Sequence, residues 1–194
     1  MSAPKKTDKP NWAEKAADWW RGLQRTTPEG KSNPTADSGA LARLRRCATP
    51  MEALAESATI RLCRLLGCKA DDDRRIESVA LLAIALAHVR EDAPKPATLG
   101  GLLGANREGG DMPVMSDLRL RQMMAARDGQ ELVRAFREAL TLLNGKAPVE
   151  DLAHVVLDWR HPTRADRTRT RFLFAYHGAL EAAPPPGGDA PAAV

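Results

Sequence analysis

The sequence is poor in aromatic residues, in cysteine and in long apolar runs. Phe, Trp and Tyr make up 4% of the 194 residues and hydrophobic residues 43%, so the core should consist mainly of Leu, Ala, Val and Met. The longest apolar run, from Val79 to Ala87, is too short to cross a bilayer. The N-terminus, MSAPKKTDKP, lacks the apolar stretch of a secretory signal. Three cysteines without an export signal indicate a reducing compartment, so we expect a soluble cytoplasmic protein with no membrane partner.

The sequence also lacks the residue patterns that catalytic and metal sites need. His154 and His161 are seven positions apart, with no carboxylate pattern to complete a metal-binding set. Cys63 and Cys68 have no second pair, so neither a zinc site nor a redox site is indicated. The glycine-rich stretch at 100–104 has neither the preceding strand nor the lysine of a phosphate-binding loop. We therefore predict no catalytic residue, no metal and no cofactor, and we do not expect an enzyme.

Almost every segment carries a helical pattern, and no segment is a credible strand. Thr49-Pro50 is typical of a helix start, and the helix that follows is predicted to continue to Leu66 with Met51 and Leu65 on its apolar stripe. The next helix is apolar on nearly every face over 79–87, which places it at the centre of a bundle. Ser116 should begin a helix with Leu118 and Met123 on its inner face. Further helices are expected to begin near Asn11, Asp37, Asp128, Pro148 and Thr163.

These elements predict an all-α fold of about eight helices in two small bundles. The N-terminal bundle is expected over 11–92 and the C-terminal bundle over 98–180, with the proline-containing stretch at 93–97 as the seam. The region 106–113, with two adjacent glycines, should form an exposed loop. Residues 1–10 and the proline-rich tail at 181–194 cannot bury apolar surface and are expected to be disordered.

The charge composition favours contact with phosphate groups. The formal net charge is +4, and 21 of the 29 basic residues are Arg, whose planar guanidinium suits phosphate. In the last helix Arg167, Arg169 and Arg171 follow in steps of two residues, each about 200° of helical rotation, so they cannot all face one ligand. The eight aromatic residues fall mainly on core stripes and none is interleaved with the arginines, so the pattern indicates no stacking platform for bases. It predicts sequence-independent contact with the phosphate backbone.

Several segments in order resemble one known family. They are Trp19-Trp20-Arg21-Gly22-Leu23; 39–46 followed by Pro50; Thr98-Leu99-Gly100 with Leu102-Leu103; 116–121; 128–132; and Asp158-Trp159 followed by an Arg-rich helix ending near Tyr176. In this order and spacing the chain resembles, over about 12–176, the small subunit (CasB-type) of the type I-E CRISPR effector complex Cascade.

The resemblance implies an all-α, non-catalytic subunit of an antiviral complex. Its implied partners are a CRISPR guide RNA, the target and non-target DNA strands, the backbone and large subunits of Cascade, and a second copy of itself. Its implied role is to stabilise the guide–target hybrid and the displaced strand, which together form the R-loop.

The resemblance also carries over a set of nucleic-acid-binding residues by position. The set comprises Arg46, Arg74, Arg75, Lys95, Arg119, Arg137, Arg167 and Arg169, and Arg121 and Arg171 are added on local charge. Lys95 matches less directly, because the loop around it differs in length.

Two other functions remain open at this point. The first is a stand-alone regulator that binds duplex DNA through a helix-turn-helix, although no recognition helix with base-reading side chains is evident. The second is an adaptor whose arginines are merely solvated. Steep salt dependence of binding would distinguish phosphate contact from the adaptor.

Overall fold

The computed structural model describes residues 12–26, 30–34 and 36–178, and this part of the chain is mostly helical. The elements are α1 (Trp12–Leu23), α2 (Ser38–Arg46), α3 (Pro50–Leu54), α4 (Ser57–Leu65), α5 (Asp73–His88), β1 (Glu91–Asp92), α6 (Leu99–Gly104), α7 (Asp117–Ala125), α8 (Gly129–Leu142), β2 (Lys146–Ala147), α9 (Val149–Asp158) and α10 (Ala165–Tyr176). The all-α prediction is confirmed, with ten helices rather than about eight in the described ranges. The predicted disordered tails and the helix start at Asn11 lie outside the described residues.

The apolar helix α5 is the centre of the core, as its composition predicts. Every residue from Ser78 to Ala87 is buried, and α5 packs against α2, α3, α4, α8 and α9. Helix α1, at the start of the described chain, packs against α9 near its end. Buried residues from Ala13 to Tyr176 belong to one continuous hydrophobic cluster. Helices from both predicted halves thus share apolar contacts, and the division into 11–92 and 98–180 stays a prediction. No described helix is long and apolar enough to span a membrane.

Short polar side chains begin five of the ten described helices, because they accept hydrogen bonds from otherwise unpaired backbone N–H groups. The pair Asp128 and Glu131 forms a complete capping box at the start of α8. Single side-chain caps begin four others: Asp37 at α2, Thr49 at α3, Asp72 at α5 and Thr98 at α6. Local sequence therefore determines where these helices begin.

The sequence predicts one continuous helix over 51–66, and this prediction is wrong. The structure has two helices there, α3 and α4. Glu56 adopts an extended conformation (φ −86°, ψ 125°) between them. Ala53 and Ala58 are both fully buried, and in one straight helix they would point about 140° apart. The break allows both short helices to pack on α5. It also leaves Met51 74% exposed and Leu65 42% exposed, so the predicted apolar stripe is wrong at these two residues.

Two further expectations are corrected. Leu118 was expected on the inner face of α7 but is 67% exposed; Met123 is buried there as expected, and Leu120 takes the place of Leu118. The expectation that no segment forms a strand is also wrong, because β1 and β2 form a short parallel pair in which Glu91 lies opposite Lys146. The pair forms where α5 and α8 end side by side. There the chain reverses through Gly145, in the left-handed region at φ 78°.

Candidate nucleic-acid interface

A groove lined by both basic and acidic side chains lies between α6, α9, α10 and the loop from β1 to α6. It has two adjoining parts of about 240 Å³ and 620 Å³, which share Thr98, Asp151, His154 and Arg171. The basic side chains that line it are Arg21, Lys95, His154, Arg164, Arg167 and Arg171. We call it the α10 groove, because α10 and the residue before it supply three of these six side chains.

The spacing of the arginines on α10 brings them to the same side. Arg164, Arg167 and Arg171 follow at three and four residues, so each step is within about 60° of a whole number of turns. Arg167 and Arg171 are one turn apart, about 6 Å along the helix axis. Arg169 lies between them in sequence but lines neither part of the groove. The prediction that alternate arginines face different sides is therefore confirmed.

Three of the five arginine and lysine side chains of the groove form ion pairs with acids, and the first is Arg21 with Asp18 at 2.7 Å. Arg164 forms an ion pair with Asp158 at 2.7 Å, and Lys95 forms one with Glu150 at 2.9 Å. The Glu150 carboxylate raises the pKa of the Lys95 ammonium through a hydrogen bond and its charge. Arg167 and Arg171 are exposed and make no ion pair with any acid in the described parts of the chain. They are the two guanidinium groups of the groove that are available to a ligand.

The close approach of α6 to α10 fixes the wall of the groove. The Thr98 side chain caps the start of α6, and the Asp151 carboxylate accepts a hydrogen bond from the Leu99 N–H at 2.7 Å. A Cβ on Gly100 would lie 2.5 Å from the carbonyl oxygen of Phe172, and a Cβ on Gly104 would overlap the backbone of Tyr176. Glycines at these positions serve helix packing, which explains a glycine-rich stretch that is not a phosphate-binding loop.

Arg137 is half-buried and is held in place by hydrogen bonds to other parts of the fold. Its Nη2 donates hydrogen bonds to the carbonyl oxygens of Cys47 at 2.7 Å and Arg45 at 3.3 Å. Its Nε donates to His88 Nε2 at 3.2 Å. Burial, followed by the charges of Arg137 and Arg45, lowers the pKa of His88 to about 4. Arg46, at the end of α2, is exposed beside this cluster.

The two arginines at the start of α5 have different environments. Arg75 donates a hydrogen bond to the carbonyl oxygen of Leu66 at 3.0 Å, and its guanidinium lies over the Trp12 ring at 4.5 Å from the centroid. Arg74 is exposed and makes no ion pair within the described residues. Both line a separate pocket with His161. The structure therefore gives Arg75 a packing role and leaves Arg74 accessible.

The remaining predicted residues are also separate from the α10 groove. Arg119 forms an ion pair with Glu138 of α8, and Arg121 on the same helix is exposed. Arg169 lies over the Trp159 ring, 5.6 Å from the centroid. Its Nε is buried without a hydrogen-bond partner, and burial followed by the charge of Arg127 lowers its pKa. Of the ten predicted residues, the groove brings together Lys95, Arg167 and Arg171.

Three groove residues and one residue near the groove, Phe174, were not predicted as binding residues. Arg21, His154 and Arg164 line it, and the spacing of Arg164 relative to Arg167 and Arg171 was the available signal. Phe174 is 52% exposed on α10, an exception to the expectation that the aromatic residues lie mainly on core stripes. Its signal is its position three residues after Arg171.

The arrangement offers cationic and hydrogen-bonding contacts. No group of three or more His, Cys, Asp or Glu side chains that could hold a metal ion occurs in the described parts of the chain. Burial raises the pKa of the Cys63 thiol to about 11, so this thiol is protonated at neutral pH and a poor nucleophile. What the α10 groove can do chemically is bind an anion through Arg167 and Arg171.

Comparison with known proteins shows a matching family model and a similar solved fold. The family model described as CRISPR-associated protein Cse2 matches residues 40–177, more than two thirds of the chain. A chain in the crystal structure of E. coli Cascade bound to a PAM-containing dsDNA target has a similar fold, with a TM-score of 0.56. That likeness covers 83% of this chain and 93% of that chain at 20% sequence identity. No curated protein sequence matches.

Proposed function

The chain belongs to the Cse2 family of CRISPR-associated proteins, and on that premise we propose that it is the non-catalytic small subunit of a cytoplasmic type I-E Cascade complex. In this role it contacts nucleic-acid backbone and stabilises the guide RNA–target DNA hybrid and the displaced strand. Its partners are the guide RNA, both DNA strands, the backbone and large subunits, and a second copy of itself. The fold likeness to a chain of E. coli Cascade supports this assignment.

The observation that carries the proposal is the pair of unneutralised guanidinium groups in the α10 groove. Arg167 and Arg171 lie one helical turn apart, and their neighbours Arg164 and Lys95 already have acidic partners. A surface arginine with an acid in reach usually forms a pair, so two adjacent arginines without one suit an external anion. Successive phosphates of one strand provide such anions in a row.

Weak contacts of this kind are sufficient for the proposed role. R-loop formation is a near-balanced exchange of one duplex for another, so a few backbone contacts shift the equilibrium. Such contacts carry no base information, and base pairing with the guide supplies the sequence specificity. The subunit therefore needs cations held in position rather than a recognition helix.

We propose that the exposed arginines outside the groove that were predicted as binding residues extend this contact surface. Arg46, Arg74 and Arg121 are exposed and form no ion pair within the described residues. The other predicted residues are engaged in the fold: Arg75, Arg119, Arg137 and Arg169. Substitution of the first group should weaken binding without unfolding the protein, whereas substitution of the second group should change stability first.

The salt dependence of binding tests the α10 groove directly. The full chain is titrated with a labelled single strand at several salt concentrations, and Arg167→Gln/Arg171→Gln is compared with the unsubstituted protein. Each lost phosphate contact should reduce the slope of log K against log salt by about 0.7 for a single strand. The double variant should therefore lose about 1.4 of slope together with affinity.

A control with the same change in net charge separates the groove from general attraction. Arg64 and Arg134 are exposed, lie outside the groove, and make no ion pair with a described residue. Arg64→Gln/Arg134→Gln should keep most of the slope and affinity. Equal losses in both double variants would contradict a groove-specific contact. Binding that is independent of salt would favour the adaptor function, and tight binding to one duplex sequence would favour the regulator.

A further inference from the structure

Phe174 is an exposed aromatic side chain on a helix whose other two aromatic side chains are buried. It is 52% exposed, whereas Phe172 is 3% and Tyr176 is 5% exposed. Those two residues pack in the core, where Phe172 meets the Trp159 ring edge-on at 5.5 Å. A half-exposed phenylalanine ring gains little from the fold, because much of its apolar surface stays in water.

The position of Phe174 on α10 aligns it with the free arginines. It follows Arg171 by three residues and Arg167 by seven, which places it about 60° and 20° from them around the helix axis. Along the axis it is about 4.5 Å beyond Arg171 and 10.5 Å beyond Arg167. Two cationic side chains and one accessible ring thus follow one another on a single face.

We propose that Phe174 stacks on one unpaired base of a single strand whose phosphates are bound by Arg167 and Arg171. This inference rests on the proposed function of the α10 groove and specifies its ligand. A base inside a duplex has both faces covered by its neighbours, so a ring can stack only on an unpaired or terminal base. A combination of cations that track the backbone and aromatic rings that stack on bases is the chemistry that proteins use for single strands without sequence preference.

A comparison between intact and abasic strands tests the stacking contact. The full chain is titrated at low salt with a fluorescein-labelled single-stranded DNA and with an abasic strand of the same length. Phe174→Ala should weaken binding of the intact strand about 5- to 100-fold and change binding of the abasic strand less than about twofold, since only the former has bases. Phe174→Trp should retain affinity for the intact strand and show quenching of its added indole fluorescence on binding.

Two variants distinguish this inference from the proposed function. Arg167→Gln/Arg171→Gln should weaken binding of both strands, because both have phosphates. Met51→Ala removes another exposed apolar side chain, 74% exposed on α3, and should affect neither strand.

Three outcomes would overturn the stacking role. If the unsubstituted protein binds intact and abasic strands equally, or if Phe174→Ala weakens both equally, stacking is excluded while the phosphate contact stands. If Phe174→Ala leaves both titrations unchanged but reduces association with another protein subunit, the ring is a protein contact. If neither strand binds at low salt, the groove itself and the stacking role both fail.

Discussion

Replacing Arg137 by Ala should destabilise the protein, because this guanidinium connects three separate parts of the core. It joins α8 to the carbonyl oxygens of Arg45 and Cys47 at the end of α2, and to His88 at the end of α5. A hydrogen bond from a charged donor contributes about 1.5–3 kcal/mol, and contributions within one cluster are not additive. Since Arg137 is only half-buried, we expect a total loss of about 2–3 kcal/mol in the free energy of unfolding.

Urea unfolding followed by circular dichroism measures this loss. The matched control is Arg134→Ala, one turn earlier on α8, where the side chain is exposed and the change should stay within about 0.5 kcal/mol. The expected fall in Tm for Arg137→Ala is about 4–10 °C for a chain of this size. Arg137→Lys should recover only part of the loss, because an ammonium cannot present the same fork of donors. If Arg137→Ala unfolds like Arg134→Ala but loses nucleic-acid affinity, the structural role is refuted and Arg137 belongs to the binding surface.

Three further substitutions test other parts of the structure. The pKa of His88 is lowered to about 4 in the fold and is about 6.5 in the unfolded chain. Between these values the unfolded state binds more protons than the folded state. The free energy of unfolding should therefore fall as the pH falls from about 6.5 to 4. His88→Gln should flatten that part of the stability–pH profile, and an unchanged profile would show that His88 does not cause it. Gly104→Ala should lower the free energy of unfolding by about 1–3 kcal/mol or more, because a Cβ there meets the backbone of Tyr176. Thermal unfolding measures this loss, and an unchanged stability would mean that α6 and α10 are not so close. Tyr176→Phe should cost about 1 kcal/mol by removing the hydrogen bond to the Met115 carbonyl oxygen at 2.6 Å, and a calorimetric scan with no change in Tm would contradict that contact.

The sequence was sufficient for the features that depend on neighbouring residues. The apolar run at 79–87 correctly placed α5 at the centre of the core, because a helix that is apolar on all faces must be surrounded. The capping box at Asp128 correctly marked the start of α8. The loop over 106–113 is exposed over most of its length as expected, and the Arg107 N–H closes it by donating to the Met112 carbonyl oxygen.

Features that depend on distant residues could not be predicted in this way. The helix break before Ser57 follows from the need of two short helices to pack on α5, and nothing local signals it. Arg137 lies off the apolar stripe of α8, yet its acceptors at Arg45 and Cys47 are about ninety positions away. Helical periodicity shows where a side chain points on its own helix, whereas its partners depend on how the helices pack.

The same distinction applies to the candidate site. The resemblance supplied Arg167 by position and local charge supplied Arg171, but the sequence could not show that Asp158 neutralises Arg164 and leaves these two free. It also could not show that the Phe174 ring stays half-exposed while Phe172 is buried.

The most direct test of the proposed function is the stability of the R-loop in a complete complex. The chain is co-expressed with its operon neighbours, the complex is purified with its guide RNA, and the fraction of opened target DNA is measured by native gel over a range of target concentrations. We predict that Arg167→Gln/Arg171→Gln assembles with guide RNA in normal stoichiometry but needs at least about tenfold more target for the same fraction opened, a shift of about 1.4 kcal/mol. Full R-loop stability in this variant, or purification of the chain without RNA and partner subunits, would contradict the account.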